Sequence, residues 1–202
     1  MMIFAICSNG IIKDRYSDGT YDNLRVGCIP EGAEQNIEFW SKNVSEVSNV
    51  ILRVRASGER DIVFRNGKQY VTVLEVIKGD GMVKAGDDIA VAGEGHVFAE
   101  IGGMNIGYVN FMQKDNEYLI FLEGKARELY KGEVVYAIHY DANLLFPYIN
   151  VADKSSVPTG SQECLYEEYR DNEYFCTTQD VLDLVLEYKE NILEQYGIVT
   201  SK

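Results

Sequence analysis

Apolar and polar positions change rhythm twice along this chain, and between residues 44 and 140 the rhythm is that of strands. Asn49-Val50-Ile51-Leu52-Arg53-Val54-Arg55 alternates once past Ile51, as a strand with one buried face does. Asp61-Ile62-Val63-Phe64 predicts a second, short strand, ended by the hairpin signal Asn66-Gly67. Gln69 to Ile77 is β-branched or aromatic at most positions and apolar on both faces, the pattern of a strand covered on both sides. Lys78-Gly79-Asp80-Gly81 and Ala85-Gly86-Asp87 read as turns, and Asp88 to Ala92 as the next strand. The glycine-rich stretch 93–107 predicts a long loop or a bulged strand. Tyr118 to Leu122 and Val134 to Tyr140 complete five or six strands at short spacing, which suggests a small barrel or sandwich.

The flanks read differently. Residues 1–43 form an irregular extension with one short helix, Glu34 to Trp40, that sets Ile37 and Trp40 on one face. Residues 141–202 form an acidic, Tyr-rich extension that ends in a helix at about 178–195. Thr177 or Thr178 can cap that helix, Asp180 and Asp183 suit its positive end, and Gly197 suits its stop. Val181, Leu184, Val185, Tyr188, Ile192 and Tyr196 make its apolar stripe, so it is expected to dock on the barrel and cover the second face of the strand at 70–77. The fold class is therefore mainly β with a C-terminal helix (α+β).

Charge sharpens this division. The chain of 202 residues carries a formal charge of −13, yet residues 44–140 hold 14 acids and 11 bases, a net of −3. Residues 161–194 hold 10 acids and 2 bases, a net of −8. Polyanion partners are disfavoured, because phosphate contacts need clustered Lys and Arg. Arg53, Arg55, Arg60 and Arg65 give the early strands only a local basic character. The acidic tail is the expected surface for a basic partner, through Glu167, Glu168, Tyr169, Asp171 and Tyr174, since tyrosine suits interfaces.

Three pieces in order carry a resemblance: Tyr70-Val71-Thr72-Val73-Leu74-Glu75-Val76-Ile77-Lys78-Gly79, Gly86-Asp87-Asp88-Ile89-Ala90-Val91 and Glu117-Tyr118-Leu119-Ile120-Phe121-Leu122. A strand ending in Lys-Gly, a strand after Gly-Asp and a Tyr-Leu strand resemble the netrin-like, tissue-inhibitor-type OB folds and bacterial secreted or lipoprotein relatives of that barrel. The likeness covers about residues 47–140. It implies a small OB-like barrel, closed or partly open, of five to six strands with the helix packed against it, in an extracellular setting. The inhibitors' N-terminal Cys-x-Cys is missing here, and no cysteine falls between 29 and 163, so protease inhibition does not carry over.

Catalytic signatures are sparse. The four cysteines Cys7, Cys28, Cys164 and Cys176 form no CxxC, and with two histidines a zinc site is not indicated. Two disulfides have three connectivities, and local pairing of Cys7 with Cys28 and of Cys164 with Cys176 would staple each flank to itself. Alternatively, the apolar run ending at Cys7 is similar to a bacterial lipoprotein processing site, with Ile6 in place of the usual small residue, and all four thiols could also be free and buried. Glu94 and His96 on the glycine-rich loop are the one acid–base pair, for a binding loop or a metal-dependent or hydrolytic site, whereas His139 sits in a strand. Gly102-Gly103-Met104-Asn105-Ile106-Gly107 lacks the neighbours a phosphate loop requires and reads as a bent strand. Asp87-Asp88 lacks the spacing of a calcium loop. Glu75 is expected to pair with Arg53 or Arg55 across the sheet.

The expectation is a secreted or surface-anchored binding protein without catalytic activity or cofactor. Its partner would be a protein or other surface ligand, basic where it meets the acidic tail, and its only membrane link a lipid at Cys7. The alternatives are an enzyme built on His96 and a cytoplasmic OB module binding nucleic acid.

Overall fold

A computed structural model of the protein describes residues 21–42, 44–63, 66–79, 81, 83–98, 103–105, 108–126, 134–138, 146–152, 155–158 and 164–198. Its strands are β1 (Arg25–Val26), β2 (Val50–Val63), β3 (Asn66–Lys78), β4 (Asp88–Phe98), β5 (Gly103–Asn105), β6 (Glu117–Lys125), β7 (Val135–Ile138) and β8 (Tyr148–Asn150). Its helices are α1 (Glu34–Lys42), α2 (Val44–Val47), α3 (Tyr166–Tyr169) and α4 (Gln179–Gln195).

β2, β3 and β4 form an antiparallel meander. β6 pairs with the free side of β2, and β7 joins β6 antiparallel and β4 parallel, closing a ring of five strands. That order is the OB-like barrel. β8 takes the edge of β6 that β7 leaves, Tyr118 to Ile120 facing Asn150 to Tyr148, while β1 and β5 extend the sheet beyond β4.

The strand covered on both faces is β6 rather than β3. Tyr118, Leu119, Ile120, Phe121 and Leu122 are all buried, whereas β3 alternates buried Val71 and Val73 with partly exposed Tyr70, Thr72 and Leu74. The cover on β6 comes from the flanks, since Tyr196 of α4 meets Phe121 with ring centroids 6.0 Å apart and α1 packs on α4. Ile29, Ala33 and Ile37 therefore share one hydrophobic core with Val50, Leu52, Val185 and Leu193. The described parts of 21–42 and 146–198 thus supply side chains to the barrel's core and to a second, smaller cluster beside it.

Two local readings shift for steric reasons. Val63 pairs with Asn66, so Asn66-Gly67 lies in β3 and not in the turn. Gly67 is there for another reason: a Cβ would come within 2.9 Å of the Phe111 ring. Of the two forms expected for the glycine-rich stretch, residues 93–98 take the bulged strand and not the loop: they continue β4, whose register against β3 slips between Asn66 and Lys68, with His96 between Asn66 and Asn105. Gly93 gives room to Ile138, whose Cδ1 would stand 3.0 Å from a Cβ, and neighbouring strands on both sides hold the backbone extended.

α4 begins and ends as its sequence predicts. Thr178 accepts a hydrogen bond from the Val181 amide at 3.4 Å, and Gly197 has φ +68°. The Gly197 and Ile198 amides donate to the Glu194 and Leu193 carbonyls, which is a Schellman stop. Its buried stripe includes Lys189, 2% exposed, whose ammonium lies 2.6 Å from a Glu173 carboxylate that is also 2% exposed. The second Glu173 oxygen accepts from the Asn150 amide at 2.5 Å, and Lys189 donates to the Ala152 carbonyl at 3.1 Å. Burial pushes the Glu173 carboxyl up, and the Lys189 charge opposes that rise.

Removing one partner of such a pair strands a buried charge, at a cost of about 3–5 kcal/mol. Lys189→Met should lower the unfolding free energy in urea by that amount. The double variant Lys189→Met/Glu173→Leu should recover most of it, and an equal loss in both would show that the pair carries no special cost.

Candidate functional site

The segments flanking the barrel meet at one end of β2. The β2–β6 ladder stops at Arg55–Glu117, and past Ala56 the register of β2 against β3 slips through residues 57–59. At this bulge Gly58 has φ +79°, and a Cβ there would stand 2.6 Å from the Lys114 Cβ. Only glycine permits that approach. The result is a cleft of about 330 Å³ between the bulge, residues 112–114, Tyr21 and Asp22, and the α3 end at Tyr166 and Arg170.

The wall is fixed by buried polar groups. Gln69 accepts from the Met112 amide at 2.6 Å, and the Tyr118 hydroxyl accepts from the Gln113 amide at 2.8 Å. Asn110 is the hub. Its side-chain amide donates to the carbonyls of Tyr169, Arg170 and Asn172 at 3.2, 2.7 and 2.9 Å, which anchors the turn carrying Arg170. Its oxygen accepts from the Phe111 amide and the Tyr166 hydroxyl, and its carbonyl from the Tyr148 hydroxyl. Gln113 donates to the carbonyls of Phe111 and Arg170, both at 3.2 Å.

Charge in the cleft opposes that of the chain. Arg60, Lys114 and Arg170 line it, against the single carboxylate of Asp22, which lies 2.6 Å from Arg170. The Arg60 guanidinium carbon lies 5.1 Å from the centre of the Tyr21 ring and 4.9 Å from that of the Phe111 ring, a cation–π contact with both. By contrast, Arg53 and Arg55 are engaged by one acid, Glu117, at 2.7 and 2.9 Å. Those two arginines, Arg55 first, hold the Glu117 carboxyl below its usual range. The expected partner Glu75 faces Arg53 in register, but Glu117 on β6 takes both guanidiniums.

The cysteines pair across the molecule. Cys28 and Cys164 form a disulfide that links segments 136 residues apart, instead of stapling each flank to itself. Adjacent backbone bonds do the same work, with Val26 donating to Cys164 and Tyr166 to Leu24. Cys176 is a free, buried thiol, which burial pushes up to about 12. Cys7 lies outside the described residues.

Of the proposed acidic surface, Glu167, Glu168 and Asp171 are exposed, but Tyr169 and Tyr174 are buried. Tyr169 packs edge-on against Phe175 in a second small core with Tyr21, Leu24, Val26, Phe111 and Tyr166. The two tyrosines are core because they bridge layers: Tyr169 donates its hydroxyl to the Cys176 carbonyl at 2.9 Å, and the Tyr174 ring meets Phe146 edge-on with centroids 6.0 Å apart. Glu94 and His96 sit on a strand rather than a loop, and their side chains, like His139 and Arg65, lie outside the described residues. Asp87 accepts from the Lys84 amide and Asp88 from Thr72, so both serve the turn. Among the described residues no group of three His, Cys, Asp or Glu could hold a metal ion, and no helix is long and apolar enough to cross a membrane. No protein-family model and no curated protein sequence matches the chain.

Asp22, Lys114 and Arg170 were not singled out by sequence reasoning. Each is an isolated charge in its own segment, and only the bulge at Gly58 and the Asn110 hub bring them together.

The buried groups behind the cleft give an alkaline limit. Burial raises the Tyr118 phenol from 10.0 to about 12, and the Cys176 thiol from 9.0 to about 12. Both hold their protons more tightly folded than unfolded, so this stability is intact below pH 9 and is lost as pH rises toward 12, about 1.4 kcal/mol per unit per group. Urea midpoints at pH 8, 10 and 11 should fall in that order, and Tyr118→Phe should flatten the last step. A midpoint that holds steady to pH 11 would contradict this burial.

Proposed function

We propose that this chain is a non-catalytic binding module of an oxidising, extracellular compartment, and that its ligand occupies the cleft at the Gly58 bulge. The carrying observation is the make-up of that cleft: aromatic and cationic side chains on a rigid polar scaffold, at a size in the lower range of small-ligand pockets. Its described lining includes no histidine, cysteine or serine, and its one carboxylate, Asp22, is ion-paired. The Tyr166 hydroxyl is likewise engaged, by Asn110, so the carboxylate and this phenol are held in structural contacts, which favours recognition over turnover. A disulfide between the two cleft-bearing flanks favours the compartment, since thiols stay reduced in the cytosol. Attachment through a lipid on Cys7 and relation to the netrin-like barrels belong to the same reading, and rest on the resemblance alone.

Two measurements test it. Titration of ¹⁵N-labelled protein with neutral, cationic and anionic small molecules should give saturable shifts at the amides of Gly58, Gln113, Lys114 and Arg170 with at least one class. No shift with any class, or shifts gathered elsewhere, would overturn the binding site. Mass spectrometry of protein from its native host should recover Cys28 and Cys164 as one linked peptide pair. Recovery of both as free thiols would remove the oxidising compartment.

A further inference from the structure

We infer that the cleft is an oxoanion site, taking a small ligand or end group with two negative charges, and that Lys114 and Arg170 are its binding cations with Arg60 as its fixed floor. This rests on the reading of the cleft as the ligand site and names the class of ligand. The lining carries three cations and one anion within a chain of −13, so positive charge is concentrated where the rest of the molecule is acidic.

Two neutral donors of the lining, Tyr166 and Gln113, are already engaged. The Tyr166 hydroxyl donates to Asn110, and the Gln113 side chain donates to two carbonyls. Donors able to reach a ligand are therefore guanidinium and ammonium N–H groups, and their complement is a ligand of acceptors. Arg170 is 51% exposed on its side chain while holding Asp22, so its planar fork has edge left for a second oxyanion. Lys114 is exposed and makes no ion pair among the described residues. Its Cα and Cβ are pressed against Gly58, which fixes the root of an otherwise flexible side chain. Arg60 is held against the Tyr21 and Phe111 rings, which fixes its charge at the floor of the cleft. Asp22 acts as a resident competitor that holds Arg170 in place until a ligand with more charge displaces it.

Long polyanions do not fit this picture. The acidic exterior, with Glu167, Glu168 and Asp171 exposed beside Arg170, repels any chain that extends past the cleft. The site therefore selects for a compact charge, either a tetrahedral phosphate or sulfate or a pair of carboxylates.

The experiment is a set of NMR titrations of the full chain at low salt with inorganic phosphate, sulfate, citrate and succinate, beside glucose and ethanolamine. Saturable shifts at Lys114 and Arg170 with phosphate or sulfate, or with citrate or succinate, support the inference and separate tetrahedral anions from carboxylates. Affinity should fall by about tenfold in Lys114→Gln and in Arg170→Gln, as expected for one lost charge-assisted contact. It should rise several-fold in Asp22→Asn and stay unchanged in the remote control Lys84→Gln, with folding of each variant checked by its amide spectrum. Adding salt should weaken binding. Saturation of the cleft by glucose or ethanolamine and not by the anions would overturn the oxoanion class while leaving the binding site in place. Shifts with no probe at all would remove both.

Discussion

The Glu173–Lys189 contact ties α4 to the segment that runs along β8 and the wall of the cleft. A lysine in the apolar stripe of α4 can be buried only where a carboxylate waits for it, so the pair fixes both the rotation of the helix and its height against the barrel. Glu173 is itself tied to β8 through the Asn150 amide, and its carbonyl accepts from the Asn110 amide in the segment before β6. One buried residue, through its carboxyl and its backbone carbonyl, thus links the C-terminal helix, the strand paired with β6 and the wall of the cleft. Apolar packing supplies most of the stabilisation, but it has no direction. The pair supplies the direction.

From that anchor the second layer follows. The stretch 172–177 bonds on one side to Tyr108 and Asn110 and on the other to Ile29, and the 24–26 stretch bonds to 164–166. The Cys28–Cys164 disulfide closes this seam, and the small aromatic core of Tyr21, Phe111, Tyr166, Tyr169 and Phe175 fills it. The cleft lies where the seam meets the bulge of β2, so every element lining it is held from behind by a buried hydrogen bond or a ring contact. The scaffold supplies the preorganisation that a binding site needs.

Much of the barrel was legible in the residues. Alternation places β2, β3, β4, β6 and β7 close to where they lie, and Thr178 and Gly197 bracket α4 because capping is a local matter. What could not be read was non-local. Gly67 reads as a turn residue and Gly93 as part of a loop or bulged strand, yet each is small because a side chain from elsewhere, Phe111 or Ile138, needs its space. The tyrosines of the acidic tail looked like an interface because their burial depends on a layer made by residues 21–29. The cleft was invisible for the same reason: Asp22, Lys114 and Arg170 are neighbours only through contacts that span most of the chain.

If the ion pair and the seam unite barrel and flanks, α4 and the barrel must open as one unit. Native-state hydrogen exchange tests this most directly. The amides of Val185 to Leu193 in α4 should exchange with the same opening free energy and denaturant dependence as those of Leu119 to Leu122 in β6. A helix that opens at distinctly lower free energy, with the barrel amides still protected, would contradict the account and make α4 an appendage.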